Sequence, residues 1–328
     1  MQKFAVLGAG AWGTALAFQL ARVNPDSTIF LWGFDPEQQK RLQQDHCNVQ
    51  CFPDHPFLEN IYPVIELTEA ISNVKGVVIA VPSHGYADLI ARISPLCSTA
   101  LPILSLTKGL DPHSGNFLHT VMNPEQHFSI LSGPSFATEV IKQLPTAITI
   151  ASSQHEHATF WQTYLHSDFF RVYTTDDMIG VQLGGTVKNV LAIATGIADG
   201  LGFGANARAG LITRGLAEMM RLNQVLGGKH TTLMGLAGVG DLVLTCTDNQ
   251  SRNRRFGIAL GSGKSIDDAL LEVQQVVEGY LAAKLVHNLA EHHQVEMPIC
   301  NAVYAMLYKN IPIKQATQEL LSRTPHKE

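Results

Sequence analysis

Charge is scarce in this chain. Only 16% of its 328 residues are Asp, Glu, Lys or Arg, and the balance is −5. Nucleic acids and anionic membrane surfaces are bound through a positive field, so neither is expected as a partner. Local basic clusters remain available to small anions. Cysteine is also sparse. The five thiols (Cys47, Cys51, Cys97, Cys246, Cys300) form no CxxC pair and leave an odd number, which argues against a disulfide framework and for a reducing compartment. No run of about eighteen apolar residues occurs, so no membrane-spanning helix is expected. The opening MQKFAVLGAG passes at once into a strand and a glycine turn, without the apolar core and cleavage site of a signal peptide. A cytoplasmic location is the expectation. Histidine is plentiful, at fourteen residues, but no HExxH or other paired ligand spacing appears. His155-Glu156-His157 and His292-His293 read as polar helix faces, and no metal is expected.

What is present is apolar. At 45% hydrophobic residues the composition is globular, and a chain this long favours two domains over a single core. Segments 3–7, 28–32, 77–81, 103–106 and 128–131 are uniformly apolar, as strands of a parallel sheet covered on both faces should be. Segments 11–23, 36–44, 85–93 and 115–122 read as crossover helices between them, and 147–151 and 169–173 as extensions of the sheet. This alternation predicts a doubly wound, Rossmann-type α/β domain. Beyond Thr174 the strand signal fades. Val187, Val190, Leu191, Ala194 and Ile197 recur at helical spacing, and 209–226, 265–276, 280–293 and 299–308 continue in that style. The expectation is a dinucleotide-type domain over 1–180 and a mostly helical substrate-binding and catalytic domain over 181–328, with no flexible linker at the boundary.

Gly8-Ala9-Gly10-Ala11-Trp12-Gly13 fits GxGxxG. The bare pattern is weak, but here it follows one strand directly and opens a helix, which is the context that gives it meaning. Gly8 permits the tight turn, Gly10 lets the backbone approach a pyrophosphate, and Gly13 lets helix and strand pack closely. The exposed N–H groups and helix dipole then face the phosphates. The second strand ends Leu31-Trp32-Gly33-Phe34-Asp35. Asp35 stands where an acidic ribose contact is expected, or else caps the helix that begins at Pro36. No Arg immediately follows the strand, so NAD and NADP both stay open.

A nicotinamide cofactor implies hydride transfer, and reducing a ketone also needs a proton donor. Two lysines stand on apolar or glycine-rich segments. Lys108, in Ser105-Leu106-Thr107-Lys108-Gly109, lies at the C-terminal end of a sheet strand, where open α/β folds bind ligands. Lys188, in Gly184-Gly185-Thr186-Val187-Lys188-Asn189, lies on an otherwise apolar helix; a snorkelling surface lysine and a buried acid are both open readings. Asp241, in a run of small and aliphatic residues, is either a cap or a charge that needs a partner. Ser251-Arg252-Asn253-Arg254-Arg255 is either a solvated basic turn or a phosphate site that combines a guanidinium fork with a helix N-terminus.

Taken in order, Gly8–Gly13, Lys108, Gly133-Pro134-Ser135-Phe136-Ala137, Lys188-Asn189, Asp241 and Ser251-Arg252-Asn253 resemble the bacterial NAD(P)-dependent glycerol-3-phosphate dehydrogenases over nearly the whole chain. The resemblance implies reversible reduction of dihydroxyacetone phosphate to sn-glycerol 3-phosphate, supplying phospholipid synthesis, by a homodimer. It implies Lys188 as general acid/base with Asp241 orienting it, and Lys108, Gly133, Ser135, Asp241, Ser251, Arg252 and Asn253 around the substrate. It places Gly8, Gly10, Ala11, Trp12, Gly13, Phe34, Lys108, Ala137, Arg252, Val276 and Glu278 near the dinucleotide. One departure stands out: where relatives often carry His or Arg, this chain has Phe34, so a strict NADP preference is not expected.

Overall fold

The computed structural model describes residues 1–324. Its backbone divides into two compact units, one of residues 1–111 and 116–181, the other of 112–115 and 182 onward.

The first unit is built on an eight-stranded sheet in the order β3-β2-β1-β4-β5-β6-β7-β8. Its strands are β1 (Lys3–Leu7), β2 (Thr28–Trp32), β3 (Ile61–Val64), β4 (Gly76–Ile79), β5 (Ile103–Ser105), β6 (Phe128–Ser132), β7 (Thr146–Ala151) and β8 (Phe170–Thr175). Helices α1 (Ala11–Val23), α2 (Pro36–Asp45), α3 (Leu67–Ile71), α4 (Tyr86–Ile93), α5 (Ala137–Ile141) and α6 (His155–Leu165) belong to it. The apolar strands interleave with α1 and α6 in one core, which includes Phe4, Val6, Leu16, Leu20, Leu31, Leu131 and Trp161. The chain starts in the middle of the sheet, winds outward to β3, and then crosses to β4 on the other side of β1. That reversal is the switch point at which doubly wound sheets bind ligands beyond their strands' carboxyl ends.

Three features differ from the sequence reading. β3 is an additional strand, missed because Pro63 interrupts an already short run; proline is tolerated because β3 lies at the sheet edge. The segment read as a helix over 115–122 holds only one short 3-10 turn, Leu118–Val121. β7 runs antiparallel to β6, and β8 then runs parallel to β7, so the sheet is mixed at that end. Apolar strands buried on both faces give the same pattern in either direction.

The second unit is helical. Its elements are α7 (Met178–Gly200, whose first turn is counted with the first unit), α8 (Gly204–Val225), α9 (His230–Leu233), α10 (Asp241–Thr247), α11 (Arg252–Gly261), α12 (Ile266–Val273), α13 (Glu278–His292), α14 (Pro298–Tyr308) and α15 (Ile313–Leu321). Every residue of α7 from Gly180 to Ala198 is buried, as expected of a helix that is apolar all round. It crosses α11 backbone to backbone. A Cβ on Gly196 would stand 2.2 Å from the Arg254 carbonyl, and one on Gly257 would stand 2.3 Å from that of Ile193. No helix among the described residues is long and apolar enough to cross a membrane.

Candidate active site

In the first unit the glycine turn closes as its sequence requires. Gly8 has φ +127°, and a Cβ there would lie 2.5 Å from the Ala80 carbonyl just past β4. A Cβ on Gly13 would lie 1.8 Å from the Gly8 carbonyl, whereas one on Gly10 would meet nothing within 4 Å. The turn is therefore tight against protein at Gly8 and Gly13 and open at Gly10, which suits a backbone that a pyrophosphate approaches. The Gly10 cap has no side-chain partner, and Gly10 and Ala11 are exposed with Trp12 half-buried beside them. The first N–H groups of α1 thus open at the switch point, as anion binding needs.

Two amides that the sequence reading missed brace this turn. Asn48, fully buried, donates from Nδ2 to the Ala9 carbonyl at 3.0 Å and to Thr14 Oγ1 at 2.9 Å. Gln38 donates to the same carbonyl at 3.2 Å. Neither belongs to a motif. Asparagine between two cysteines in a loop gives no signal until the fold brings it to the turn.

Beyond the carboxyl ends of β5 and β6, Lys108 Nζ donates to the Gly133 carbonyl at 3.3 Å, and Ser135 Oγ donates to the same oxygen at 2.9 Å. Gly133 has φ +135°, and a Cβ would stand 3.0 Å from the Ile148 Cα. Lys108, Gly133 and Ser135 therefore form one cluster beyond the strands' carboxyl ends, and Ala137 opens α5 two residues after Ser135. Phe34 lies past the end of β2, half exposed. Asp35 caps α2: its side chain accepts from the Glu37 N–H at 2.9 Å.

In the second unit the buried α7 carries Lys188, 6% exposed. Its ammonium donates to Asp241 Oδ1 in a short contact, and to Thr245 Oγ1 at 2.9 Å. The Thr245 hydroxyl donates in turn to the Asp241 carbonyl at 2.6 Å. Asp241 is 1% exposed, so the two charges are removed from water together and compensate each other. Glycines make the approach possible: a Cβ on Gly184 would lie 2.3 Å from the Ala237 carbonyl, in the π turn Leu236–Gly240 that leads into α10. Thr245, one helical turn past Asp241, was not read as a site residue from sequence.

The Ser251-Arg252-Asn253 segment opens α11. Ser251 is the N-cap and accepts from the Arg254 N–H at 3.2 Å. Asn253 is buried; its Nδ2 donates to Asn189 Oδ1 at 2.8 Å, and its Oδ1 accepts from the Gly279 N–H at 2.9 Å. It thereby ties α7, α11 and the start of α13 together. Arg252 keeps exposed surface. Partial burial lowers its pKa from the usual arginine value, and the Glu278 carboxylate opposes that shift; the guanidinium stays charged. Glu278 opens α13, and Val276 is exposed just before it. Arg254 turns inward to pair with Asp199 and donates to the Cys246 carbonyl at 3.1 Å. It is a structural anchor at the end of α7.

Comparison with known proteins shows which family the chain belongs to. Residues 3–158 match the profile of the NAD-dependent glycerol-3-phosphate dehydrogenase N-terminus, and residues 177–318 that of its C-terminus. The chain belongs to the NAD-dependent glycerol-3-phosphate dehydrogenase family. It is 50% identical over 326 residues to glycerol-3-phosphate dehydrogenase [NAD(P)+] of Colwellia psychrerythraea, covering 98% of this chain and 97% of the relative. The Haemophilus ducreyi protein of the same name is 49% identical over 332 residues, covering 100% and 98%. The crystal structure of the Coxiella burnetii glycerol-3-phosphate dehydrogenase superposes with a TM-score of 0.94 at 46% identity, covering 98% and 99%. A ketopantoate reductase from Ralstonia eutropha, at 16% identity and a TM-score of 0.59, shares the fold alone.

In this dehydrogenase family member the groups expected at the dinucleotide and those expected at the substrate are each drawn from both units. Gly8 to Gly13, Phe34, Lys108, Gly133, Ser135 and Ala137 are in the first, and Lys188, Asp241, Ser251, Arg252, Asn253, Val276 and Glu278 in the second. Among the described residues no group of three His, Cys, Asp or Glu side chains could hold a metal.

Proposed function

We propose that this chain reversibly reduces dihydroxyacetone phosphate to sn-glycerol 3-phosphate with NADH or NADPH. The observation that carries the reading is the buried Lys188–Asp241–Thr245 cluster, in a chain whose other unit presents an open glycine turn at a sheet switch point. On this reading the region 1–180 binds the dinucleotide, and 181–328 binds substrate and moves the proton. A bound nicotinamide supplies the hydride. Lys188 gives its proton to the oxygen that becomes negative as the ketone is reduced, and takes it back in the reverse direction. Asp241 fixes the ammonium by ion pair and Thr245 by accepting a hydrogen bond, so its position in a buried place is set.

The substrate phosphate is assigned to the start of α11. Ser251 Oγ and the Asn253 amide are already engaged within the helix and its neighbours, so they shape the turn. The first backbone N–H groups of α11 and the Arg252 fork are the donors offered to an anion. Lys108, Gly133 and Ser135 complete the substrate shell, and Ala137, Val276 and Glu278 the cofactor's. The same reading holds that the protein is a cytoplasmic homodimer supplying glycerophospholipid synthesis; light scattering should give twice the mass of the chain.

A substrate panel tests the assignment. Oxidation of reduced cofactor should be fast with dihydroxyacetone phosphate, slow with dihydroxyacetone and absent with ketopantoate. Equal rates with and without the phosphate would remove the α11 assignment, and preference for ketopantoate would replace the function.

A further inference from the structure

The end of β2 holds an arrangement that the residues next to it in sequence do not reveal. The Trp32 and Phe34 rings lie 4.9 Å apart at 58°. Over both sits a side chain from elsewhere in the unit. Arg92, in the last turn of α4, places its guanidinium carbon 5.3 Å from the Trp32 ring centroid and 5.3 Å from that of Phe34. Arg92 is exposed, and among the described residues no carboxylate pairs with it. The aromatic faces hold the cation in place and leave its N–H fork for another acceptor.

The acid at this corner is occupied. One oxygen of Asp35 accepts from the Glu37 N–H at 2.9 Å, and the other lies 3.7 Å from Arg41 Nη2. Glu37 pairs with Lys40 at 2.7 Å. The end of the second strand in a dinucleotide fold is where the adenosine ribose is read, by a carboxylate for a free 2′-hydroxyl or by an arginine for a 2′-phosphate. Here the carboxylate is spent on a helix cap and the arginine is fixed over the strand's last aromatic rings.

Given the dinucleotide site proposed above, we propose that Arg92 is this chain's receptor for the 2′-phosphate of NADPH, supplied from α4 in place of a basic residue at position 34. The planar fork of Arg92 matches a phosphate, and Phe34 serves as the surface that holds the fork in position. NADH lacks the phosphate and gains nothing from Arg92, so the protein accepts both nucleotides and binds NADPH more tightly.

Binding measured without substrate tests this. NADPH and NADH are titrated by fluorescence, and 2′,5′-ADP and 5′-AMP by competition, at one low ionic strength because exposed charges are screened by salt. Arg92→Ala should weaken NADPH and 2′,5′-ADP by about 10- to 150-fold, the range for losing a hydrogen bond to a charged group. NADH and 5′-AMP should change by less than about twofold. Arg92→Lys should recover part of the loss, keeping the charge without the fork. Arg92→Gln, neutral but of similar length, serves if the alanine variant does not fold. Equal losses for all four ligands would show that Arg92 only orders the rings. Selective loss in Arg41→Ala and none in Arg92→Ala would assign the phosphate to Arg41. Failure of the wild-type protein to bind any of the four would overturn the dinucleotide site itself, and this proposal with it.

Discussion

A lysine and an aspartate buried together behave differently from either alone. Lys188 and Asp241 are almost without solvent contact, so removing one leaves a charge that neither water nor protein balances. Breaking such a pair costs about 3–5 kcal/mol, whereas replacing both members by apolar groups of similar volume is often neutral. Asp241→Ala should therefore lose stability by about that amount in urea, and Lys188→Met combined with Asp241→Leu should recover most of it while staying inactive. If the double variant is no more stable than the single one, the pair is not the source of the loss. Arg252 is a different kind of residue: it keeps exposed surface, and the nearby Glu278 carboxylate favours its charge. Arg252→Ala should cost about 10- to 150-fold in kcat/KM for the phosphorylated substrate and spare the slow reaction with dihydroxyacetone. A loss shared equally by both substrates would show that it serves the cofactor or the fold.

Elements carry the next level, and here legibility in the sequence was uneven. β1, its glycine turn and α1 were readable because a strand, three spaced glycines and a helix start reinforce one another within a few residues. That α7 is helical was readable from Val187, Val190, Leu191, Ala194 and Ile197 at helical spacing, but its start at Met178 and its burial on every side, Lys188 included, were not. The direction of β7 was not, since a strand buried on both faces looks alike either way. Nor were Asn48 and Arg92, whose roles depend on partners 39 and nearly 60 positions away along the chain. Among site residues, Lys188, Asp241 and Arg252 stood out by type in an unusual setting, while Thr245 looked like any helical threonine.

One element carries a pH dependence. Glu218, buried on α8, accepts from the Ile299 N–H at 2.6 Å and the Cys300 N–H at 3.1 Å at the start of α14. Burial raises its pKa above the usual 4.5, and the two backbone N–H groups only partly offset this. The folded state thus holds this proton more tightly than the unfolded state. Its contribution is complete below the unfolded value and is lost as pH rises through the folded one. Glu218→Gln cannot titrate. The melting temperature of the wild type, taken relative to this variant, should therefore fall as pH rises from 4.5 upward. A difference that stays constant or increases across that window would contradict this account of how α14 is capped.

At the scale of the whole molecule, one unit has a glycine turn open at Gly10 and the other buries Lys188 against Asp241, and the proposed function gives the first to the dinucleotide and the second to the proton. Both halves match a single family over nearly the full chain, so the central claim is that Lys188 supplies the proton for reducing dihydroxyacetone phosphate. The direct measurement follows the absorbance of the reduced cofactor in wild type and Lys188→Ala, at saturating cofactor and substrate, with cofactor affinity measured alongside. The account predicts oxidation that depends on dihydroxyacetone phosphate, a fall in kcat of about 10²–10⁴-fold in the variant, and nearly unchanged cofactor binding. No substrate-dependent oxidation by the wild type, or a variant that keeps more than about half of wild-type kcat where acid–base catalysis should be lost, would contradict it.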